Sequence, residues 1–409
     1  MTTNTRIEFQ NKHWREPLVN IPPFRRDIYQ KIWKDLDTKL AAIITGPRRI
    51  GKSIILKQIL ASIINEQHIT PRQILFYEFE PGQNSDDVWD IYDYFRTSVA
   101  DPRTPTYLFF DEIQYVKNYE TTIKTIYDNS AHVKIFLTGS LSLSYKNKMQ
   151  DSLAGRFFAY PLYPLSFKEY LALAAPADLQ VFTSCQAESD RFKRAHELAI
   201  LNAHFRNFLA IGRFPELIGL SIDQCNAYLQ NILNQSLNLD VFAYFKIHKP
   251  LVMTALFKYL QIHNGSLVSL NKLASQLQVT HPTLTEYFNI LELMGLIYPV
   301  YNTRNPLIKL NSSKKIYVNS SFALLDSALD PSTATGFAVE SYILEQMLSR
   351  GEKVTFYRRR NQEIDFLIPS KHLGYEVKFR PDFIPLKVSL PGYKLDQITL
   401  QNSLPACLF

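Results

Sequence analysis

The chain has 409 residues, of which 46% are hydrophobic and 20% charged, and this composition excludes a disordered protein. Lys and Arg number 45 against 38 Asp and Glu, so the net charge of +7 permits a nucleic-acid partner without requiring one. The 13 glycines exclude collagen-like and glycine-linker proteins.

Targeting signals and thiol chemistry give expectations about location. No apolar run reaches the roughly 18 residues of a membrane-spanning helix, and the N-terminal segment MTTNTRIEFQNKHWRE has no apolar signal core. The three cysteines are too few and too scattered for a disulfide framework or a zinc site. We therefore expect a cytoplasmic protein without a membrane partner.

The first 165 residues alternate apolar runs with helical periodicity, which predicts an α/β fold. Short continuous apolar runs separated by helices are typical of a parallel sheet covered on both faces. The predicted strands are residues 40–45, 74–80, 107–112 and 133–140.

A glycine-bounded loop follows the first of these strands. Its sequence GPRRIGKS fits G-x-x-x-x-G-K-[ST] and opens a predicted helix, which is the context that this phosphate-binding motif requires. Lys52 would meet the β- and γ-phosphates of ATP, and the Ser53 hydroxyl would ligate Mg²⁺. The residues predicted to contact the nucleotide are Gly46, Pro47, Arg48, Arg49, Gly51, Lys52, Ser53 and Ile54.

Two further strand ends would face the same nucleotide. The run YLFFDE ends in Asp111, a predicted Mg²⁺ ligand, and Glu112, which would orient or deprotonate the attacking water. The run KIFLTGS ends in Thr138 and Ser140, where a hydroxyl would sense the γ-phosphate. The alternatives are an acidic loop after the first strand and a simple turn after the second.

These motifs, with SLAGRFFAYPLYPLSFKEYL after them, resemble a prokaryotic family of AAA-type P-loop ATPases. In that family the ATPase is joined to a C-terminal winged-helix and restriction-endonuclease-like region, the PD-(D/E)XK or DUF4143 type. The resemblance implies that Arg156 contacts a γ-phosphate, within the subunit or in a neighbour of a homo-oligomer; the alternative is a surface ion pair. The segment IGRFPEL departs from the family at Arg213, where a glycine is usual.

The sequence and the resemblance together predict four segments. We expect a parallel-sheet P-loop ATPase domain, a helical region, a winged helix and a small α/β nuclease-like domain. Their predicted bounds are residues 1–165, 166–248, 249–304 and 305–409.

The predicted winged helix has an apolar stripe on two successive short helices, and Gly295 ends the second of them. If the unit reads DNA, the residues facing the groove would be His281, Thr283, Thr285 and Glu286. The shortage of Arg and Lys there weakens this interpretation, because phosphate contacts dominate affinity. A protein-binding or structural winged helix is the equal alternative.

The last candidate site combines carboxylates with a lysine. Strand alternation in EIDFLI and YEVKF puts Asp365, Glu376 and Lys378 on one face of a hairpin, where the carboxylates would hold Mg²⁺ and the lysine would activate water. Glu340 on the preceding helix would add a ligand, and residues 358–360, three arginines, would hold a phosphodiester backbone. The alternative is a cross-strand ion pair on a solvated face.

The sequence therefore predicts an Mg²⁺-dependent ATPase with ATP as its cofactor. The coupled C-terminal domain would bind or cleave nucleic acid, with DNA favoured over RNA. The alternative is a nucleotide-controlled switch whose nuclease-like domain is inactive and binds DNA or protein.

Overall fold

The computed structural model describes residues 3–130, 132–139, 155–187, 191–211, 213–241, 249–303, 314–325, 331–359, 362–378 and 390–399, together with 245 and 247. The chain divides into two compact units, Met1–Leu162 and Tyr163–Phe409. None of the helices within these residues is long and apolar enough to cross a membrane.

The first unit is built on a sheet whose described strands are all parallel, in the order β2-β3-β4-β1-β5. The strands are β1 (Ala41–Thr45), β2 (Ile74–Glu78), β3 (Thr106–Asp111), β4 (Val133–Gly139) and β5 (Phe157–Pro161). The predicted α/β class and its parallel sheet are thus confirmed. Strand β1 lies between β4 and β5 and leads into the phosphate loop at the carboxyl edge of the sheet, where the ends of β3 and β4 also lie.

Helices cover both faces of this sheet, which explains the continuous apolar runs. They are α1 (Thr3–Gln10), α2 (Asp27–Lys34), α3 (Lys52–Asn65), α4 (Ser85–Tyr94) and α5 (Tyr119–Asn129). On one face, Ile43 and Phe110 share a fully buried cluster with Ile91 of α4 and Ile123 of α5. Helix α3 packs on β3 and β4.

The second unit begins with helices, as the periodicity of residues 166–245 predicts. Its described helices are α6 (Phe167–Ala174), α7 (Leu179–Ala187), α8 (Arg191–Ile211), α9 (Ile222–Gln235), α10 (Pro250–Ile262), α11 (Leu270–Gln276), α12 (His281–Leu293) and α13 (Pro331–Ser349). In α11 and α12 the predicted apolar stripe is buried, including Leu273, Leu284 and Phe288. Gly295, at φ +68°, follows the end of α12 as predicted.

The other half of the second unit is a mixed sheet in the order β12-β11-β10-β9-β7-β8-β6. Its described strands are β6 (Ser266–Val268), β7 (Ile297–Asn302), β8 (Lys314–Val318), β9 (Thr355–Arg359), β10 (Gln362–Ile368), β11 (Leu373–Lys378) and β12 (Lys394–Thr399). Strands from both sides of the predicted boundary after residue 304 join in it, because β7 pairs with β8 and β9. The predicted winged-helix and nuclease-like segments therefore share one sheet.

Arg213 occupies the position where the sequence departs from its family resemblance. Its side chain is 1% exposed and forms an ion pair with the fully buried Glu345 of α13. The guanidinium lies over the rings of Phe208 and Tyr342, at 5.6 and 4.9 Å from their centroids. Ser320 also donates to Glu345 from its backbone N and its hydroxyl. The departure from glycine thus supplies the counter-ion of a buried carboxylate.

Substitution of Arg213 with Met is expected to lower the free energy of unfolding of the second unit by about 3–5 kcal/mol, because Glu345 keeps a buried charge without its partner. The double variant Arg213→Met/Glu345→Leu should recover part of that loss, as measured by chemical denaturation. An Arg213→Met variant as stable as the wild type would contradict this role.

Candidate functional site

The phosphate loop of residues 46–53 connects β1 to α3. Its two glycines are required for different steric reasons. A Cβ on Gly46 would lie 2.4 Å from the carbonyl oxygen of Leu162, so no other residue fits. Gly51 has φ +102° at the N-cap of α3, in the left-handed region that favours glycine. The loop therefore ends at the positive N-terminus of α3, where backbone N–H groups favour an anion.

Lys52 begins α3 and is only 3% exposed. Its ammonium donates to the carbonyl oxygens of Pro47 at 2.9 Å and Gly46 at 3.2 Å. The charge is thereby held over the loop whose N–H groups suit phosphate oxygens.

Asp111 is fully buried at the end of β3 and is the centre of the site. The hydroxyl of Thr138, at the end of β4, donates to its Oδ1. Ser53 of α3 also hydrogen-bonds to this carboxylate. The structure thus brings together the predicted magnesium ligands Ser53 and Asp111.

Burial raises the pKa of Asp111, and the hydrogen bonds from Thr138 and Ser53 act against that rise. Burial also raises the pKa of Glu78, which pairs in register with Asp111 on the adjacent strand, and the Asp111 charge raises it further. Glu78 was not among the predicted site residues, although its run ILFYEFE ends in acidic side chains as the β3 run does.

One oxygen of this carboxylate suits a metal ion. Asp111 Oδ2 is buried and has no hydrogen-bond partner among the described residues. A buried carboxylate oxygen beside a serine hydroxyl is the set of hard oxygen donors that Mg²⁺ prefers. These two residues therefore fit the expected ion.

Glu112 follows Asp111 in a left-handed backbone conformation, at φ +54°. Its backbone N donates to the Thr138 hydroxyl at 3.0 Å, and its carboxylate accepts from Gln114. The non-glycine residue is thus held in a sparsely populated conformation by its neighbours, as is common at functional sites. Thr138, one of the two hydroxyl residues predicted at this strand end, thus bridges Asp111 and Glu112.

The other predicted nucleotide contacts have varied surroundings. Arg48 donates to the Tyr115 hydroxyl at 2.6 Å, while Arg49 has a left-handed φ of +57°. Ile54 follows Ser53 directly and is 38% exposed. Ser140 lies outside the described residues.

Arg156 lies at the opposite edge of the sheet from the phosphate loop. Its carbonyl oxygen accepts from Ala41 N, at the start of β1, and its guanidinium forms a bidentate pair with Asp128 at 2.8 and 3.2 Å. The length of β1, roughly 13 Å, separates Ala41 from the residue before Gly46. The structure thus does not bring Arg156 to the γ-phosphate position of its own subunit.

The predicted C-terminal residues do converge, with a lysine that the sequence prediction missed. Asp365 of β10 accepts from Lys315 Nζ at 2.9 Å and from the backbone N of Val377 at 3.0 Å. Lys378 Nζ lies 3.1 Å from Glu376 Oε1 on the same strand. The expected hairpin face is therefore formed, and each of these two carboxylates has a lysine partner.

Glu340 lies on α13 beside this cluster. Burial and, after it, the nearby Asp365 charge raise its pKa to about 8, while Lys315 and Lys378 act in the opposite direction. Its Oε2 faces Gly265, where an added Cβ would lie 3.0 Å away.

A metal role for Glu340, Asp365 and Glu376 is not supported by this arrangement. Across the described ranges, no group of three or more His, Cys, Asp or Glu side chains is placed to hold a metal ion. The physical reason is that buried Lys315 already neutralises Asp365. Arg358, predicted to hold a phosphodiester, lies with its Nε 3.5 Å from Glu363 Oε2, and residue 360 lies outside the described part.

Family comparisons match two stretches of the chain. Residues 38–171 match the family described as an AAA domain, and residues 202–329 match a domain of unknown function, DUF8612. Most of the first unit, from residue 38 onward, therefore matches an AAA domain. The second match leaves the winged-helix, DUF4143 and nuclease-like identities unconfirmed.

Comparisons over longer stretches give distant relatives. The chain is 22% identical to an uncharacterized protein of Haemophilus influenzae, over 84% of this chain and 83% of that protein. It is 25% identical to the uncharacterized protein MJ1544 of Methanocaldococcus jannaschii, over 82% and 74%. A solved structure, the Walker-type ATPase PABY2304 of Pyrococcus abyssi, is 14% identical with a TM-score of 0.44, over 67% of this chain and 91% of that one. These identities are too low to transfer an activity.

Proposed function

We propose that the first unit binds ATP and hydrolyses it with Mg²⁺. The observation that carries this proposal is the buried Asp111 carboxylate. Ser53 hydrogen-bonds to this carboxylate, and its Oδ2 has no hydrogen-bond partner in the described structure. A phosphate loop and a strand-end carboxylate at one sheet edge are what a P-loop nucleotide hydrolase requires.

Each side chain has a separate role in this proposal. Ser53 and Asp111 would hold Mg²⁺, which supplies charge neutralisation at the phosphates when bound. Lys52 would move from the loop carbonyls to the β- and γ-phosphate oxygens. Glu112 would orient the attacking water and accept its proton, with its carboxylate positioned by Gln114.

Lys52→Ala is expected to abolish ATP turnover, because the loop loses the ammonium that would contact the β- and γ-phosphates. The matched control is Lys124→Ala, which removes an exposed lysine of α5 and should keep the wild-type rate. Phosphate release at saturating Mg²⁺ and ATP measures both variants. Undiminished hydrolysis by Lys52→Ala would end the proposal.

We further propose that Arg156 acts on the nucleotide of a neighbouring subunit. Two features support this: its distance from its own phosphate loop, and its exposed pairing with Asp128, which water and a new partner can readily replace. An arginine supplied in trans stabilises the charge that develops on the transferred phosphoryl group.

Arg156→Ala should reduce turnover by about three orders of magnitude, the typical effect of such an arginine. Mixing it with Glu112→Gln should restore activity, because each Arg156→Ala active site can then receive an arginine from a Glu112→Gln neighbour. Hydrolysis by the mixture would exceed the sum of the two separate rates. A mixture that gives only that sum would show that the arginine does not act between subunits.

For the second unit we propose a nucleotide-controlled DNA-binding role without cleavage. The order α10, β6, α11, α12, β7, β8, with antiparallel pairing of β8 to both β6 and β7, supports the predicted winged helix. The outward positions at the start of α12 suit a groove. The ion pair of Lys315 with Asp365 favours this role over that of a cutting enzyme.

Glu286→Lys, on the exposed side of α12, is expected to tighten binding to duplex DNA and to steepen its salt dependence by about one unit of slope. The control Asp223→Lys makes the same charge change on exposed α9. Fluorescence anisotropy with ADP and with a non-hydrolysable ATP analogue measures both, against RNA for comparison. Equal affinities of the two variants for DNA would contradict a role for α12.

A further inference from the structure

The acidic cluster of the second unit contains its own buried cation. Lys315, on β8, is 3% exposed, and its Nζ lies 2.5 Å from Glu363 Oε1 and 2.9 Å from Asp365 Oδ1. An ammonium this far from water requires close carboxylate partners, because burial of an unpaired charge is costly. The two carboxylates meet that requirement.

The remaining acceptor sites around Lys315 are also filled. Asp365 uses its second oxygen, Oδ2, to accept from the backbone N of Val377 at 3.0 Å. The second oxygen of Glu363 lies 3.5 Å from Arg358 Nε. Both oxygens of each carboxylate that contacts Lys315 therefore already face a protein donor.

Apart from Glu340, whose pKa burial raises, the charges of the wider cluster balance in the same way. Glu376 has Lys378 as a partner at 3.1 Å, so Glu363, Asp365 and Glu376 are matched by Arg358, Lys315 and Lys378. A divalent ion at Asp365 would lie within a few ångströms of the Lys315 ammonium, and this like-charge repulsion is strong where water is excluded.

We propose that the Lys315 ammonium takes the place of a divalent cation in this cluster, so that the second unit holds its carboxylates without metal and does not cleave nucleic acid. Lys315 links β8 to β10 through its ion pair with Asp365. A bound ion would otherwise make this link. This inference rests on the non-cleaving role proposed for the second unit and is independent of ATP hydrolysis in the first unit.

Removal of the Lys315 ammonium is expected to create a site for a divalent ion. Without the ammonium, Glu363 and Asp365 face one small space with uncompensated negative charge, and a divalent ion is the simplest replacement. Lys315→Gln keeps most of the side-chain length but not the charge. Lys314→Gln is the matched control, because Lys314 is also buried but lies over the Phe288 ring, 4.0 Å from its centroid.

The test is Mn²⁺ binding measured by electron paramagnetic resonance on the full chain without nucleotide. All proteins carry Asp111→Asn, which removes the ion site of the first unit and separates this test from the ATPase proposal. We expect no Mn²⁺ at the cluster in the Asp111→Asn parent or with Lys314→Gln. Lys315→Gln should gain a Mn²⁺ site at least about tenfold tighter than any residual Mn²⁺ binding by the parent, and adding Asp365→Asn should abolish that gain.

Two results would overturn the proposal. One is Mn²⁺ binding by the parent that Asp365→Asn removes; the other is a folded Lys315→Gln variant that gains no Mn²⁺ site. Should Lys315→Gln fail to fold, cleavage by the otherwise wild-type chain decides the question. Nuclease activity that needs Mg²⁺ or Mn²⁺ and is lost in Asp365→Asn would refute the inference, whereas no cleavage of DNA or RNA would support it.

Discussion

The chemistry proposed for the first unit depends on one buried carboxylate, of which one oxygen is hydrogen-bonded and the other is not. Asp111 receives the Thr138 hydroxyl at Oδ1, while Oδ2 has no protein partner within the described structure. Burying such a charge is costly unless something completes its shell. The strand order, in which β4 lies between β3 and β1, brings Ser53 to the same carboxylate, and so makes an ion the natural completion of its coordination.

In the second unit, both oxygens of a comparable carboxylate have a protein donor. Asp365 has a lysine at one oxygen and a backbone N–H at the other, so its charge is compensated inside the protein. The contrast separates two carboxylates that look alike as sequence motifs. A carboxylate oxygen without a protein donor can bind a metal ion, whereas an ion-paired carboxylate links two strands. Only the surrounding donors distinguish the two cases.

Local patterns predicted the first unit well because its apolar runs, loop glycines and strand-end acids are contiguous in sequence. The sequence could not reveal Lys315 as the partner of Asp365, since 50 residues separate them and pairing depends on the order of strands in the sheet. Strand β12 (Lys394–Thr399) is not among the strands that the sequence predicts, and it forms by parallel pairing with β11. The role of Arg213 likewise could not be predicted, because its ion-pair partner Glu345 lies far along the chain.

The most direct measurement of the central claim is a change of metal preference at Ser53. With Ser53→Cys, ATP hydrolysis should fall sharply with Mg²⁺, which binds sulfur poorly, and recover with thiophilic Cd²⁺. The recovery should vanish when Asp111→Asn is added, since both residues would ligate one ion. Full activity of Ser53→Cys with Mg²⁺, or Cd²⁺ recovery that persists without the Asp111 carboxylate, would show that the two residues do not share a metal.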